Sequence, residues 1–247
     1  MAERVFVLVH PAWFGGWCWR KVATSLRSAG RRVYTPTLTG LGDRAHLAIA
    51  DVGLSTHVDD VVNTLVFEDL DGVVLVGSSS SGAVITGVAD RVPERVARLV
   101  YVDAFVPSDG ESVLSLIPPE RRAVMKELVE SEGDGWALPR FAEPPWDSIL
   151  PTAWSITHDA DVRWILPRLR PTPFRHFTDP LRLGRPLGDA PRRTYVRCRG
   201  WPHPGFDRHA SDAASSPGWD LYELEAAHLP YITSPAETAE LLVALAA

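Results

Sequence analysis

Short, continuous apolar runs alternate along this chain with segments whose apolar residues recur every three to four positions. The first pattern is typical of strands that are buried on both faces, and the second of helices with one apolar face. The runs predict strands at residues 5–10, 32–35, 73–76, 99–102, 194–198 and 221–224. The helical spacing predicts helices around residues 19–26, 58–65, 83–91 and 241–245.

This alternation of strands and helices predicts an α/β fold, with a mostly parallel sheet and helices on both of its faces. The crossovers between parallel strands are expected to be right-handed because the strands twist. Ligands of such sheets bind just beyond the carboxyl ends of the strands. Functional residues are therefore expected directly after each predicted strand.

The alternation stops between Pro107 and Gly184. Ten of the chain's 21 prolines lie in this stretch, together with a predicted helix at residues 120–130. The stretch also holds four tryptophans: Trp136, Trp146, Trp154 and Trp164. An insertion of this length in a compact domain is usually functional. We predict that residues 107–184 form a lid, and that residues 1–106 and 185–247 form the core.

The turn from the third strand into the next helix reads G-S-S-S-S-G over residues 77–82. In α/β enzymes, such a junction holds a strained nucleophilic serine between small residues. Gly77 lies two positions before Ser79, and Ser81 stands where the usual G-x-S-x-G pattern has its second glycine. We therefore predict that Ser79 is the nucleophile.

Two backbone N–H groups are candidates for stabilising a developing oxyanion. The N–H of Ser80 lies at the start of the helix, where the helix dipole favours negative charge. A second donor is expected from the loop after the first strand, which reads H-P-A-W-F-G-G over residues 10–16. Pro11 has no N–H, so we predict Ala12 as this donor. His10 is interpreted as a residue that orders the loop.

A general base is expected after the last strand, because in this arrangement the catalytic histidine comes last in chain order. Of the eight histidines, His228 alone lies between the last predicted strand and the closing helix. We predict that His228 takes the proton from Ser79.

The carboxylate that orients the histidine has two candidates. The turn after the strand at residues 194–198 has no carboxylate before Asp207, which is expected to lie in the following helix. Asp103 lies at the carboxyl end of the strand next after the serine strand, and these two strands are expected to be neighbours. We predict Asp103 as the acid and Asp207 as the alternative. A third alternative is that water or a backbone carbonyl orients His228.

These motifs together resemble the α/β-hydrolase family that contains plant methyl-ester esterases, hydroxynitrile lyases and their bacterial relatives. The resemblance covers nearly the whole chain. It is carried by residues 9–19, 38–44 and 100–107, by the serine turn and by His228. The resemblance implies a Ser–His–acid triad, an oxyanion hole and a lid at the positions given above.

Two departures from the family pattern bear on the reaction. The lyase branch carries Thr where Pro11 stands, and Lys where Leu229 follows the histidine. Cyanohydrin cleavage needs a hydroxyl donor and a cation for the leaving cyanide, so the sequence does not favour that reaction. The family also often has Asp in the turn after the strand that ends at Cys198, and here that turn reads R-G-W-P-H.

Composition limits which binding partners and cofactors are expected. The formal net charge of −6 argues against binding to nucleic acid. The two cysteines have neither metal-ligand nor redox spacing, and we predict no metal and no cofactor. The N-terminus lacks the pattern of a secretory signal, and no apolar run approaches the roughly 20 residues of a membrane span. We expect a cytoplasmic protein with a small-molecule substrate and no membrane partner; a homodimer is left open.

Three functions fit this sequence. The favoured one is a serine hydrolase that cleaves a carboxylic ester or lactone of a small, partly aromatic molecule through an acyl-enzyme. The second is a lyase or cyclase of natural-product biosynthesis that uses the same cavity, and the third is a non-catalytic ligand-binding protein. The expected substrate contacts are aromatic: Trp13, Phe105, Trp136, Trp154 and Trp164.

Overall fold

The computed structural model describes residues 4–140, 154–184 and 191–246. The strands are β1 (Val5–Val9), β2 (Arg32–Tyr34), β3 (Val73–Ser79), β4 (Val96–Ala104), β5 (Ala137–Leu138), β6 (Thr172–Pro173), β7 (Arg192–Cys198) and β8 (Trp219–Leu224). The α-helices are α1 (Arg20–Ser28), α2 (Leu54–Phe67), α3 (Ser81–Arg91), α4 (Pro119–Glu132), α5 (Asp159–Ile165), α6 (Arg175–Thr178), α7 (Pro204–Ser215), α8 (Pro230–Thr233) and α9 (Pro235–Leu245). Short 3-10 helices cover Gly16–Trp19, Gly42–Leu47, Pro93–Arg95, Leu114–Leu116 and Leu166–Arg168.

Six of the strands form one fully parallel sheet in the order β2-β1-β3-β4-β7-β8. The predicted α/β fold is confirmed, and β3 and β4 are neighbours as expected. Both strands run past their apolar residues, because the hydrogen-bonded ladder continues until Ser79 pairs with Ala104. The ladder therefore carries the serine turn and the end of β4 to the same edge of the sheet.

Helices cover both faces of the sheet, and strand β1 shows how the sequence encodes this. Its alternate residues belong to two different apolar clusters: Val5, Val7 and Val9 to one, and Phe6 and Leu8 to the other. The first cluster includes residues of α2, α3 and α7, and the second includes residues of α1, α8 and α9. Full burial of each such side chain contributes about 1.5–3 kcal/mol. A continuous apolar run is thus what a strand covered on both faces requires.

Between β4 and β7, the described residues form α4, α5, α6 and an antiparallel pair of short strands, β5 and β6. The predicted helix at residues 120–130 is confirmed as α4, with Pro119 at its first turn. Only Val129 of this helix is buried, so α4 lies on the outside of the molecule. The division into a core and a lid at residues 107 and 184 stays a prediction, and Trp146 lies outside the described residues.

Cys18 and Cys198 are both buried and carry free thiols. Burial raises the pKa of each thiol well above its usual range, so neither is a thiolate at neutral pH. Within the described residues, no helix combines the length and the apolar character that crossing a bilayer would need.

Candidate active site

Ser79 is the last residue of β3, and its backbone lies in the left-handed region with φ of 52°. This conformation is strained for a residue with a side chain, and such strain clusters at functional sites. Gly77 leaves room for the turn, because a Cβ there would lie 2.9 Å from the Ser81 carbonyl oxygen and 3.0 Å from Ile85 Cγ2. The junction therefore has the geometry of a strand–turn–helix nucleophile elbow.

Ser81 accounts for the departure from the usual glycine pattern. Its Oγ accepts a hydrogen bond from the Ser78 N–H at 2.8 Å. The same oxygen lies 2.8 Å from the Ser78 carbonyl oxygen and 3.0 Å from that of Val9, either of which can accept its proton. The hydroxyl thus fastens the turn to itself and to the end of β1, a contact that glycine could not make.

The end of β4 is attached directly to the serine turn. The Phe105 N–H donates to the Ser79 carbonyl oxygen at 3.0 Å. Gly82 lets α3 come this close, because a Cβ there would lie 2.0 Å from the Phe105 carbonyl oxygen. Asp103, two residues earlier, is held beside the turn with its own backbone left-handed at φ of 41°.

His228 follows β8 and is buried. The backbone N–H of His228 donates to the Trp154 carbonyl oxygen at 3.2 Å. Its imidazole ring packs on the ring of Trp201, with centroids 4.0 Å apart. Burial lowers the pKa of His228, and the hydrogen bond and charge of Asp103 act in the opposite direction. The imidazole is therefore neutral at neutral pH, as a general base must be.

Asp103 is the carboxylate that the structure places beside this histidine. Its Oδ2 lies 3.4 Å from His228 Nδ1, and both side chains are buried. Its Oδ1 accepts from the Cys198 N–H at 2.9 Å. Asp207 lies in α7, as expected, but it is half exposed and bonds to Arg197 and Arg199.

Arg197 lies between the two carboxylates. One nitrogen, Nη1, is 3.0 and 3.1 Å from the oxygens of Asp103, and Nε is 2.8 Å from Asp207 Oδ1. The guanidinium also donates to the carbonyl oxygens of Cys198 and Trp201. A charge that is 1% exposed needs such partners, since burying it unpaired is very costly. Arg197 thus holds Asp103 and the turn after β7 together.

Arg197 was not among the residues singled out from the sequence, although a signal for it exists. It lies in a run that otherwise reads as a buried strand, T-Y-V-R-C over residues 194–198. A charged residue in the middle of such a strand requires a buried partner of opposite charge. In this fold, the strand next to β7 offers Asp103.

Ala12 and Ser80, the residues that carry the two predicted oxyanion donors, are in direct contact. Ser80 is the residue before α3, and the Ala12 N–H reaches its Oγ at 2.9 Å. Trp13, the next residue of the loop, has a left-handed backbone with φ of 66°. Its N–H is taken by Thr172 Oγ1 at 2.8 Å, and its carbonyl oxygen accepts from the Arg170 N–H at 3.0 Å. The loop is therefore anchored to the segment between β4 and β7.

One cavity of about 380 Å³ opens onto Ser79, Ser80 and His228. Its remaining lining is mostly apolar and aromatic: Trp13, Phe105, Ile117, Pro118, Val124, Met125, Leu128, Leu138, Trp154, Phe177, Trp201 and Phe206. Residues of α4 and its preceding turn form one wall, opposite the strand ends. Of the aromatic contacts expected from the sequence, Trp13, Phe105 and Trp154 line this cavity.

Trp136 and Trp164 require a correction, because neither lines this cavity. Trp164 packs edge-on against Trp17 with centroids 5.0 Å apart, and Lys21 lies over its ring at 5.5 Å. Trp136 lies in the turn before β5 and lines a separate surface depression together with Arg140. The ring of Trp164 therefore serves packing, and Trp136 lies at a different surface from the cavity beside Ser79.

Two polar side chains of the cavity were missed in the sequence. Arg121 of α4 and His203 of the turn after β7 lie among the apolar lining. Burial lowers the pKa of His203 to about 4, and the positive charge of Arg121 acts in the same direction. His203 is therefore neutral at neutral pH. Arg121 lies in α4, away from any strand end, so the strand-end rule did not select it. His203 lies in the turn after β7, but it was interpreted only as a loop histidine without metal-ligand spacing.

The described residues contain no cluster of three or more His, Cys, Asp or Glu side chains that could hold a metal ion. The side chains at this site are instead suited to nucleophilic chemistry: a strained serine, a buried neutral histidine and a carboxylate in contact with that histidine.

Comparison with known proteins places this chain in a family. Residues 6–241 match the alpha/beta hydrolase family. The chain is 39% identical to the carbendazim hydrolyzing esterase of Nocardioides sp. (strain SG-4G), over 97% of this chain and 98% of that protein. It is 34% identical to methylesterase 18 of Arabidopsis thaliana, over 53% of this chain and 50% of that protein.

Solved structures give the same result. An extracellular α/β-hydrolase from a Paenibacillus species, described as sharing structural and functional homology with tobacco salicylic acid binding protein 2, has a TM-score of 0.85 and 25% identity. The match covers 98% of each chain. The resemblance seen in the sequence motifs is confirmed, and the chain belongs to the α/β hydrolase family.

Proposed function

We propose that this protein is a serine esterase that hydrolyses carboxylic esters or lactones of small, partly aromatic molecules. One observation carries the proposal: a serine in a strained elbow opens into the same apolar cavity as a buried histidine that contacts a carboxylate. The 39% identical relative is named an esterase, and the Arabidopsis relative a methylesterase, which supports ester hydrolysis.

In the proposed mechanism, Ser79 Oγ attacks the ester carbonyl carbon while His228 takes its proton. The C=O electron pair moves onto oxygen, and the N–H groups of Ala12 and Ser80 stabilise the oxyanion. The pair then returns, the C–O bond to the alcohol breaks, and His228 gives its proton to the leaving oxygen. Water then attacks the acyl carbon while His228 takes its proton. The bond to Ser79 Oγ breaks, His228 returns the proton to Ser79, and the acid is released.

Asp103 has two proposed tasks in this cycle. Its carboxylate fixes the tautomer of His228, so that Nδ1 carries the proton and Nε2 is free to act as base. It also stabilises the imidazolium that forms in each half-reaction. Arg197 keeps the carboxylate in place by donating to both of its oxygens.

The lining of the cavity supports a compact, apolar substrate. Aromatic walls from Trp13, Trp154 and Trp201 suit a ring system, and a volume of about 380 Å³ suits a small one. Cyanohydrin cleavage has weaker support, because Leu229 supplies no cation for the leaving cyanide. Other lyase or cyclase reactions have weaker support because the relatives named above are esterases. A purely ligand-binding role would not require the strained serine and the buried His–Asp contact.

The proposal is tested by measuring kcat on a panel of aryl and alkyl esters and lactones for the wild-type protein, Ser79→Ala and Ser78→Ala. We expect the wild-type protein to hydrolyse aryl esters. Ser79→Ala should lose about 10⁴-fold or more in kcat, because triad residues act as a unit. Ser78→Ala is the matched control and should retain activity. Full activity in Ser79→Ala, or no hydrolysis of any ester by wild type, would contradict the proposal.

A further inference from the structure

The peptide that joins Pro11 to Ala12 is held at both ends by buried side chains. Its carbonyl oxygen accepts a hydrogen bond from His10 Nδ1 at 2.8 Å, and its N–H donates to Ser80 Oγ at 2.9 Å. Because the peptide is planar, contacts at its two ends fix the direction in which the N–H points. This N–H is the proposed oxyanion donor of Ala12.

Ser80 is itself the end of a chain of hydrogen bonds through two buried histidines. Ser80 Oγ lies 2.9 Å from His176 Nε2, and His176 Nδ1 lies 2.8 Å from His57 Nδ1. His57 Nε2 then lies 2.9 Å from the carbonyl oxygen of Thr39. The three side chains come from the start of α3, from α6 and from α2, so no sequence pattern brings them together.

On the other side of the peptide, the hydrogen bonds through His10 end at Leu38, which is the residue before Thr39 in the loop after β2. The Leu38 N–H donates to His10 Nε2 at 3.0 Å. Asp60 of α2 holds this loop by accepting from the N–H and the hydroxyl of Thr39, at 2.6 and 2.8 Å. Together with the backbone between Leu38 and Thr39, these hydrogen bonds form a ring. The ring starts and ends at the Pro11–Ala12 peptide and passes through the loop after β2.

Burial lowers the pKa of both His57 and His176, so their imidazoles are neutral at neutral pH. With neutral imidazoles, every hydrogen bond on the Ser80 side of this ring has a defined donor and acceptor. The Thr39 carbonyl oxygen can only accept, so His57 carries its proton on Nε2 and accepts at Nδ1. His176 then donates from Nδ1 and accepts the Ser80 proton at Nε2. The Ser80 oxygen is left to accept from the oxyanion donor.

We propose that Ser80, His176 and His57 are positioning residues for the hydrolysis. They hold the Pro11–Ala12 peptide against the serine turn. Its N–H donates to Ser80 Oγ, and from this position beside Ser79 it can share its hydrogen with the oxyanion as charge develops. The inference rests on the proposed esterase function. Packing alone does not explain this arrangement, because apolar side chains of similar volume would fill the space without burying polar groups.

The test compares two substrates that differ in one atom, 4-nitrophenyl acetate and its thionoester, O-(4-nitrophenyl) thionoacetate. The sulfur of the thionoester accepts hydrogen bonds weakly, so its hydrolysis depends less on the oxyanion donors. A variant that misdirects the Ala12 N–H must therefore lose more activity on the oxygen ester than on the thionoester. A variant that only loosens the fold must lose activity on both alike.

We expect Ser80→Ala and His176→Phe each to lower kcat for the oxygen ester by roughly 10- to 100-fold, with KM nearly unchanged. The ratio of oxygen-ester to thionoester kcat should fall in both variants. Their effects should not add in the double variant, because both break the same chain. His176→Gln should restore much of the ratio, because its Oε1 can accept the Ser80 proton.

Thr86→Ala is the matched control for the loss of a buried hydroxyl. Thr86 lies on α3, the helix that Ser80 precedes, is as buried as Ser80, and bonds to Tyr101 away from the loop. We expect this variant to lower the melting temperature and to leave the substrate ratio unchanged.

An unchanged ratio in both Ser80→Ala and His176→Phe would overturn the inference, whatever their melting temperatures. A higher oxygen-ester kcat in Ser80→Ala would also overturn it, since the hydroxyl would then be a competitor for the N–H. If Ser80→Ala fails to fold, Ser80→Cys reports the same ratio, and if His176→Phe fails to fold, His176→Leu reports it. Failure of the proposed function looks different, because the wild-type protein itself would then not hydrolyse the oxygen ester.

Discussion

Asp103 Oδ2 lies 3.4 Å from His228 Nδ1, although 125 positions separate the two residues in the chain. The order of the sheet explains the contact, because β4 lies between the serine strand β3 and β7. A carboxylate at the end of β4 can therefore reach the histidine after β8. In the turn after β7, where the family often has its acid, this chain has no carboxylate, and the buried Arg197 connects that turn to Asp103 instead.

Asp103→Asn is expected to lower kcat for ester hydrolysis by about 10³- to 10⁴-fold, because an amide stabilises the wrong tautomer of His228. Asp207→Asn is the matched control. It removes a half-exposed partner of Arg197 that does not contact the histidine, so kcat should stay within about tenfold of wild type. A large loss in Asp207→Asn with near wild-type activity in Asp103→Asn would show that the acid has been assigned to the wrong residue.

The pH dependence of kcat/KM should report the neutral form of His228. Burial lowers the pKa of this histidine below its ordinary value of 6.5, and only the neutral imidazole can accept the serine proton. We expect kcat/KM to stay level as the pH falls through 6.5 and to decrease only at lower pH. A decrease already centred above pH 6.5 would mean that a different group controls the activity.

Acid should destabilise the fold through its buried histidines. Burial lowers the pKa of His10 from 6.5 to about 4 and also lowers that of His57, despite the opposing charge of Asp60. Between pH 6.5 and about 4 the unfolded chain binds protons that the folded chain does not, so the free energy of unfolding falls as the pH falls. Above pH 6.5 the protonation of His10 and His57 no longer changes the free energy of unfolding.

The contribution of His10 alone is on the order of 3 kcal/mol across that range. Urea unfolding at a series of pH values measures it. His10→Gln should flatten the pH dependence between 6.5 and 4, whereas His46→Gln, which changes an exposed histidine, should leave it as in wild type. Equal slopes for all three proteins would contradict the assignment of a buried neutral His10.

Substitution of two tryptophans should distinguish a residue that sets substrate specificity from one that only packs within the fold. Trp154 lines the cavity, so Trp154→Ala should change KM and the preference among acyl groups. Trp164 packs against Trp17 instead, so Trp164→Ala should lower the melting temperature and leave the order of substrate preference unchanged. The prediction fails if Trp164→Ala reorders the substrates and Trp154→Ala does not.

The sequence predicts those features that depend on local context or on strand order. The strands follow from continuous apolar runs, and Ser79 and His228 are proposed because each follows a strand at a recognisable place. Asp103 is proposed from the order of neighbouring strands alone.

The remaining features depend on contacts between distant segments, which no local pattern encodes. Arg197 reaches Asp103 across 94 positions, and His57 reaches His176 across 119. The prediction for Trp164 was wrong because a tryptophan in the insertion can pack on α1 as readily as on a ligand. Composition shows that such side chains are available, and only the fold shows what they contact.

In the proposed mechanism, Ser79 forms a covalent acyl-enzyme with His228 as its base. A fluorophosphonate labels such a serine, and peptide mass spectrometry locates the adduct in wild type, His228→Ala and Ser79→Ala. We expect one adduct on Ser79 in wild type, labelling slowed by about 10³-fold or more in His228→Ala, and none in Ser79→Ala. An adduct on Ser78 or Ser80, or labelling of Ser79 that is as fast without His228, would contradict this mechanism.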